Sequence, residues 1–140
     1  MSIWFKPYTL DEINRRGENT LADFLNIRFT GIHNDALIAE MPVSAKVKQP
    51  IGIVHGGANV VLAETVASTA ANMVVDIDNF YCVGLEININ HIRSVRDGIV
   101  QAIAKPFHLG RTTQVWHIEL TDASGRVTAI SRMTASVLSR

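Results

Sequence analysis

From Gly57 to Val75 the chain is apolar in nearly every direction, with alanine and valine recurring and neither a proline nor a later glycine to interrupt them. That pattern predicts a long helix and not a strand. Its length approaches a membrane span, but Asn59, Glu64, Thr65, Ser68, Thr69 and Asn72 punctuate it, so a helix enclosed by protein is expected. On either side the periodicity changes. Upstream, TLDE at Thr9 to Glu12 has the form of a capping box, opening a short helix that ends near Gly17. Ile27 to Thr30 and Ala36 to Met41 read as two strands joined through a turn rich in Gly, Asn and Asp at Gly31 to Asp35.

Downstream, YCVGLEININHIRS alternates. It predicts a strand with Val83, Leu85, Ile87 and Ile89 facing a core and Gly84, Glu86, Asn88 and Asn90 facing away, with His91 at the end of the inward row. Further strands follow at Ile99 to Lys105, Thr113 to Thr121 and Arg126 to Leu138, the last two joined by a turn at Asp122 to Gly125. Helix, two strands, long helix and four strands together predict an α+β fold, an antiparallel sheet around one helix. At 140 residues the chain is expected to be a single domain, residues 1–140.

Composition narrows the functions. Thirteen basic and thirteen acidic residues give no net field, which argues against nucleic acid or a membrane surface as partner. Cys82, the only cysteine, has no internal disulfide partner, and MSIWFKPYTL carries no apolar signal core, so the cytoplasm is the expected compartment. Only 19% of residues are charged, and the mean hydropathy is +0.16. A domain this small has a large surface for its volume, so part of that surface is expected to be buried against other copies of the chain.

Glu64 is the residue that needs explaining. With Thr65, Ser68 and Asn72 it forms a polar stripe on an otherwise apolar helix, and no Lys or Arg lies within a turn to neutralise it. Thr65, Thr69 and Asn72 can be satisfied by one another or by backbone carbonyls. An unpaired carboxylate cannot, which points to a chemical role. Just upstream, His55-Gly56-Gly57 brings the chain into the helix with little bulk, leaving open N–H groups at its positive end, where a developing oxyanion can be held. The basic residue of a phosphate-binding loop is missing there. The five histidines and one cysteine show no zinc-ligand spacing, and neither metal nor cofactor is expected. Eight residues separate Gly56 from Glu64, about 12 Å along a helix. One small carbonyl does not span that, so donors and carboxylate are expected to come from two chains whose helices run antiparallel across a dimer interface.

The pattern Q-P-x-G-x-x-H-G-G-A-x-x-x-L-A-E from Gln49 to Glu64, together with VGLEININHIRS and KPFHLGRTTQVWHIEL, resembles the hotdog-fold acyl-CoA thioesterases. The branch it is most similar to includes 1,4-dihydroxy-2-naphthoyl-CoA hydrolase and the enterobactin-pathway proofreading thioesterase. The resemblance covers essentially the whole chain. It implies a long helix wrapped by an antiparallel sheet, a homodimer with two interfacial sites and commonly a homotetramer, a dimer of dimers. It implies Glu64 as nucleophile or general base, the Gly56 N–H of the opposite chain as oxyanion donor, and Gln49 and His55 as groups that orient the thioester. Ser68 and His91 match residues that position the hydrolytic water. Gly84, the run His91, Ile92, Arg93 and Ser94, and the run His108, Leu109, Gly110, Arg111, Thr112 and Thr113 match segments that contact coenzyme A, with Arg93 and Arg111 as phosphate partners.

The expected activity is thus hydrolysis of an aromatic or medium-chain acyl-CoA to the free acid and coenzyme A. Two alternatives stand beside it. Hotdog proteins also include acyl-thioester dehydratases and hydratases, whose histidine and acid Glu64 and His55 or His91 could mimic. The other is a non-catalytic acyl-CoA binding module, against which an intact Glu64 argues. Small residues along the stripe do not identify the acyl group, and Thr69 stands where some relatives carry a larger apolar residue.

Overall fold

A computed structural model describes residues 1–140. The first helix, α1 (Leu10–Arg16), opens as its sequence predicts: Thr9 Oγ1 accepts from the Glu12 N–H at 3.2 Å, and the Glu12 carboxylate accepts from the Thr9 N–H at 2.8 Å. It stops at Gly17. A second, four-residue helix, α2 (Leu21–Phe24), was not foreseen. There follow β1 (Arg28–Ile32), β2 (Leu37–Pro42), a 3-10 turn at Ala45–Val47, and α3 (Gly56–Val74), within a residue of its expected limits. The remaining strands are β3 (Phe80–His91), β4 (Ile99–Leu109), β5 (Thr113–Asp122) and β6 (Val127–Ser139).

All six strands form one antiparallel sheet in the order β1-β2-β4-β5-β6-β3. Between β2 and β3 the chain runs through α3 and rejoins the sheet at its far edge, where β3 pairs with β6 alone. The sheet therefore wraps a single long helix, as expected. Alternate residues of β5 (Gln114, Trp116, Ile118, Leu120) and β6 (Ala129, Ser131, Met133, Ala135) are buried in the core. On α3, Leu62, Ala63, Val66, Ala67, Ala70 and Ala71 are wholly excluded from water. So many alanines give the helix a thin profile, which lets sheet and helix approach closely at native packing density.

Two expectations need correction. The alternation in β3 does not run unbroken: pairing with β6 passes from Gly84↔Ala135 to Glu86↔Thr134, so Leu85 is an extra residue, a β-bulge. The bulge reverses the phase. Before it Cys82 and Gly84 face α3 while Val83 and Leu85 are exposed; after it Ile87 and Ile89 turn inward. Likewise β4 does not end at Lys105 but continues through Pro106 to Leu109, with a second bulge between Pro106 and His108. Proline is tolerated because β2 pairs with β4 only as far as Ala104, leaving β5 as the sole neighbour beyond.

Asn72 fastens the edge strand to the helix. Its Oδ1 accepts from the Cys82 N–H at 2.8 Å, and its Nδ2 donates to the Cys82 carbonyl at 3.1 Å and the Ser68 carbonyl at 2.9 Å. The amide thus stands in for a neighbouring strand. We expect Asn72→Leu, which strands the Cys82 backbone groups, to destabilise the chain by about 1–3 kcal/mol. Urea unfolding measures it; a loss within 0.3 kcal/mol would show the amide to be dispensable.

Candidate active site

The residues singled out in the sequence gather in two clusters. The first surrounds the N-terminus of α3. There a short hairpin is closed by hydrogen bonds from the Gln49 N–H to the Ile53 carbonyl and from the Gly52 N–H to the Gln49 carbonyl, both 2.9 Å. Gly52 has φ +85°, which a side chain resists, so the tightness of this turn depends on glycine. Within the hairpin the Gln49 Oε1 accepts from the Ile51 N–H at 2.5 Å. His55 is the N-cap: its Nδ1 accepts from the Gly57 N–H at 2.8 Å, and its carbonyl from the Ala58 and Asn59 N–H groups. Accepting at Nδ1 places the proton of the neutral ring on Nε2. One donor of the first turn remains. The Gly56 N–H has no acceptor in the chain and sits at the positive end of a 19-residue helix.

Gly56 also faces His91: a Cβ at position 56 would lie 2.8 Å from the His91 Nε2. His91 is exposed but not loose, because its Nδ1 is 3.4 Å from the Asn59 amide nitrogen. Gln49, Gly56, Asn59, His91, Arg93 and Ser94 share the lining of one cavity of about 310 Å³. Asn59 was not foreseen as a site residue. It is 6% exposed, and its Oδ1 has no partner. On sequence it is one more polar residue on a buried helix, and only the fold sets it beneath His91.

The second cluster lies further along α3. Glu64 is half-buried and forms no ion pair or hydrogen bond within the chain, yet its oxygens are not sealed from solvent. It faces β3, where a Cβ at Gly84 would come 2.9 Å from its Oε1. Ser68 follows one turn later, its Oγ 3.6 Å from the Met133 sulfur. The segment His108, Leu109, Gly110, Arg111, Thr112 and Thr113 lies at this end of the sheet, since Thr113 pairs with Ser136 and Gly84 with the adjacent Ala135. Gly110 has room for no side chain, as the His108 ring and the Thr113 carbonyl would both press on it. Arg93 and Arg111 are exposed and form no ion pair, one in each cluster.

Register on β6 measures the separation. His91 pairs with Ala129 and Gly84 with Ala135. Six residues of strand, about 20 Å, stand between the clusters. Nowhere do three His, Cys, Asp or Glu side chains converge as a metal site requires. The buried Cys82 is no rival nucleophile, since burial pushes its thiol up to about 11.

Residues 51–129 match the family model described as the thioesterase superfamily, more than half of the chain. The chain belongs to the thioesterase superfamily. It is 47% identical to the 1,4-dihydroxy-2-naphthoyl-CoA hydrolase of Escherichia coli, over 97% of this chain and 99% of that one. A crystal structure of a mutant thioesterase from Pseudomonas aeruginosa superposes with a TM-score of 0.98 at 43% identity, covering 99% of this chain and 100% of that one. A thioesterase from Haemophilus influenzae gives 0.95 at 39% identity, over 98% and 95% of the two chains. The fold is the hotdog fold that the sequence resemblance implied, and this thioesterase is a thioester hydrolase. No helix in it is long and apolar enough to cross a membrane.

The two glycines that face Glu64 and His91 offer a test. In Gly84→Ala the new methyl displaces the Glu64 carboxylate, and in Gly56→Ala it displaces the His91 ring. We expect each to keep its cooperative unfolding transition while kcat for thioester hydrolysis falls about a hundredfold, the cost of a misplacement on the order of 1 Å. Steady-state kinetics beside thermal unfolding check this. Unchanged kcat in Gly84→Ala would mean that the position of Glu64 is irrelevant to turnover.

Proposed function

We propose that this thioesterase hydrolyses acyl-CoA at sites shared by two copies of the chain, with Glu64 of one copy and the Gly56 N–H of the other acting on the same thioester. One observation carries the proposal: Glu64 is unpaired and open, yet about 12 Å of helix separates it from the only free amide of its own N-terminus. Two-fold pairing removes the separation. β3 is a twelve-residue edge strand with a single neighbour and with Val83 and Leu85 exposed, so it offers a second copy an unpaired backbone edge and apolar contacts. Antiparallel pairing about an axis near the middle of β3 sets the His91 end of one strand beside the Gly84 end of the other. The Gly56 cluster of one copy then meets the Glu64 cluster of its partner, twice per dimer. Further exposed apolar residues, Phe107 and Ile130 among them, suit association of dimers into a tetramer.

In this arrangement the thioester oxygen lies at the Gly56 N–H, where the helix dipole favours negative charge, with Gln49 and His55 orienting it. Glu64 either attacks the acyl carbon or takes a proton from the water that does. The carbonyl electron pair moves to oxygen, and the tetrahedral species collapses by expelling the thiolate of coenzyme A, which takes a proton from solvent or from Glu64 when Glu64 has acted as base. Where Glu64 has attacked, water then cleaves the mixed anhydride to the free acid and restores the carboxylate. Ser68 and His91 position the water. Arg93 and Arg111, free cations on opposite ends of one chain, become two sides of one site and suit the phosphates of the coenzyme. The whole chain serves as a single hotdog domain in this role.

We expect Glu64→Gln, which keeps the shape and removes the charge, to lower turnover of an acyl-CoA by about three orders of magnitude while the oligomer persists. Thiol release followed with a chromogenic disulfide, beside size-exclusion chromatography, is the measurement; retained turnover would remove Glu64 from the chemistry. The shared site has its own test. Inactive Glu64→Ala and inactive Gln49→Ala chains, mixed and allowed to exchange subunits, should regain up to half of the activity per mixed dimer, because each such dimer contains one intact site. Exchange without recovery would confine the site to one chain.

A further inference from the structure

A cavity of about 450 Å³ opens between the N-terminal segment and the C-terminal half of α3, and the stripe residues that line it start at Thr65, next to Glu64. Phe29 and Leu21 supply apolar wall, and Thr65, Ser68, Thr69 and Arg16 supply polar lining. These polar groups are left to water. The Thr65 and Thr69 hydroxyls make no hydrogen bond within the chain, and the Ser68 hydroxyl has only the weak acceptor Met133 Sδ at 3.6 Å. Asn72, on the same stripe, is by contrast fully engaged with the backbone.

Arg16 is the feature that asks for a ligand. Its helix neighbours are spoken for: Arg15 holds Asp11, and Glu12 is occupied by the capping box with Thr9. Arg16 itself is exposed and pairs with no carboxylate; its guanidinium lies 5.5 Å from the centre of the Tyr8 ring. Burial raises the Tyr8 phenol above its ordinary range, and the charges of Arg16 and Asp76 both bear on it. The Phe5 N–H donates to the Met73 carbonyl at 2.9 Å, which ties the segment leading to Tyr8, and Arg16 beside Tyr8, to the C-terminal end of α3, where Ile77 lines the same cavity. The stripe from Glu64 to Asn72 spans two helical turns, about 12 Å. A wholly apolar acyl chain laid along it would strip water from two free hydroxyls and from a cation without replacing their hydrogen bonds.

We propose that the acyl group of the substrate carries an anionic substituent remote from the thioester, and that Arg16 is the specificity-determining residue that binds it. The proposal rests on Glu64 marking the reacting end of the acyl group. Suberoyl-CoA, with a carboxylate at the far end of an eight-carbon acyl chain, and octanoyl-CoA, with a methyl there, are the probes.

The ratio of kcat/KM for suberoyl-CoA over octanoyl-CoA should exceed one in the native protein. It should fall about tenfold or more in Arg16→Met, which keeps length and loses the charge-assisted hydrogen bonds, and be partly retained in Arg16→Lys. The same ratio of affinities, read by titration calorimetry on Glu64→Gln and on the Glu64→Gln, Arg16→Met double variant, reports on Arg16 without any turnover. A ratio unchanged within twofold by Arg16→Met, in both hydrolysis and binding, would overturn the proposal. Full turnover in Glu64→Gln would instead overturn the catalytic assignment, and the affinity ratio would still decide the role of Arg16.

Discussion

The enclosure of α3 is the constraint on which the rest depends. A helix built from alanine and valine has low amphipathicity, so it cannot lie on a surface; it has to be surrounded, and a sheet curled around it is the economical solution. Every polar residue on that helix is then a liability unless something answers it. Asn72 is answered by the backbone of β3, and Asn59 in part by His91. Glu64 has no answer in its own chain, and its surroundings are shaped to leave it so. Glycine at position 84 makes room for the carboxylate where any side chain would press on it.

The bulge at Leu85 belongs to the same constraint. Without the extra residue, β3 would present one face to the core from end to end, and Gly84 could not share a face with both Cys82 and Ile87. With it, the strand gives the helix a small residue beside Glu64 and larger ones further on, and turns Val83 and Leu85 outward at the free edge. One local irregularity thus clears space for the carboxylate and supplies apolar surface for a neighbour.

Much of this was legible in the residues. Propensity and periodicity located α1, α3 and all six strands, because each is long or carries its own signal, such as the capping box at Thr9 and Glu12. What escaped was set by tertiary context. The phase of β3 before Ile87 was misread because a bulge leaves no mark in a period-two pattern, and the end of β4 because Pro106 reads as a stop until its neighbour strand is known to end first. The candidate site residues were named from spacing and resemblance, but their division into two clusters about 20 Å apart is a property of register on β6. Asn59 was invisible for a related reason: its meaning comes from His91, thirty-two positions away in sequence.

That division bears on how the two features of the proposed site, the Gly56 N–H and Glu64, can sit on one rigid element. A single helix cannot bend its own N-terminus back onto its middle, so a fold with one buried helix can supply either the amide or the carboxylate to a given carbonyl, not both. In the proposed pairing the limitation becomes an economy, since each α3 serves two sites, one with its N-terminal N–H and one with its carboxylate. The geometry of each site is then fixed by the register of two edge strands and not by any mobile loop. A slip of two residues in that pairing, which preserves every inward and outward face, would still separate donor from acid by about 7 Å. In the proposed pairing the edge of β3, and Leu85 in its bulge, are as much a part of the catalytic arrangement as the residues that would touch the thioester.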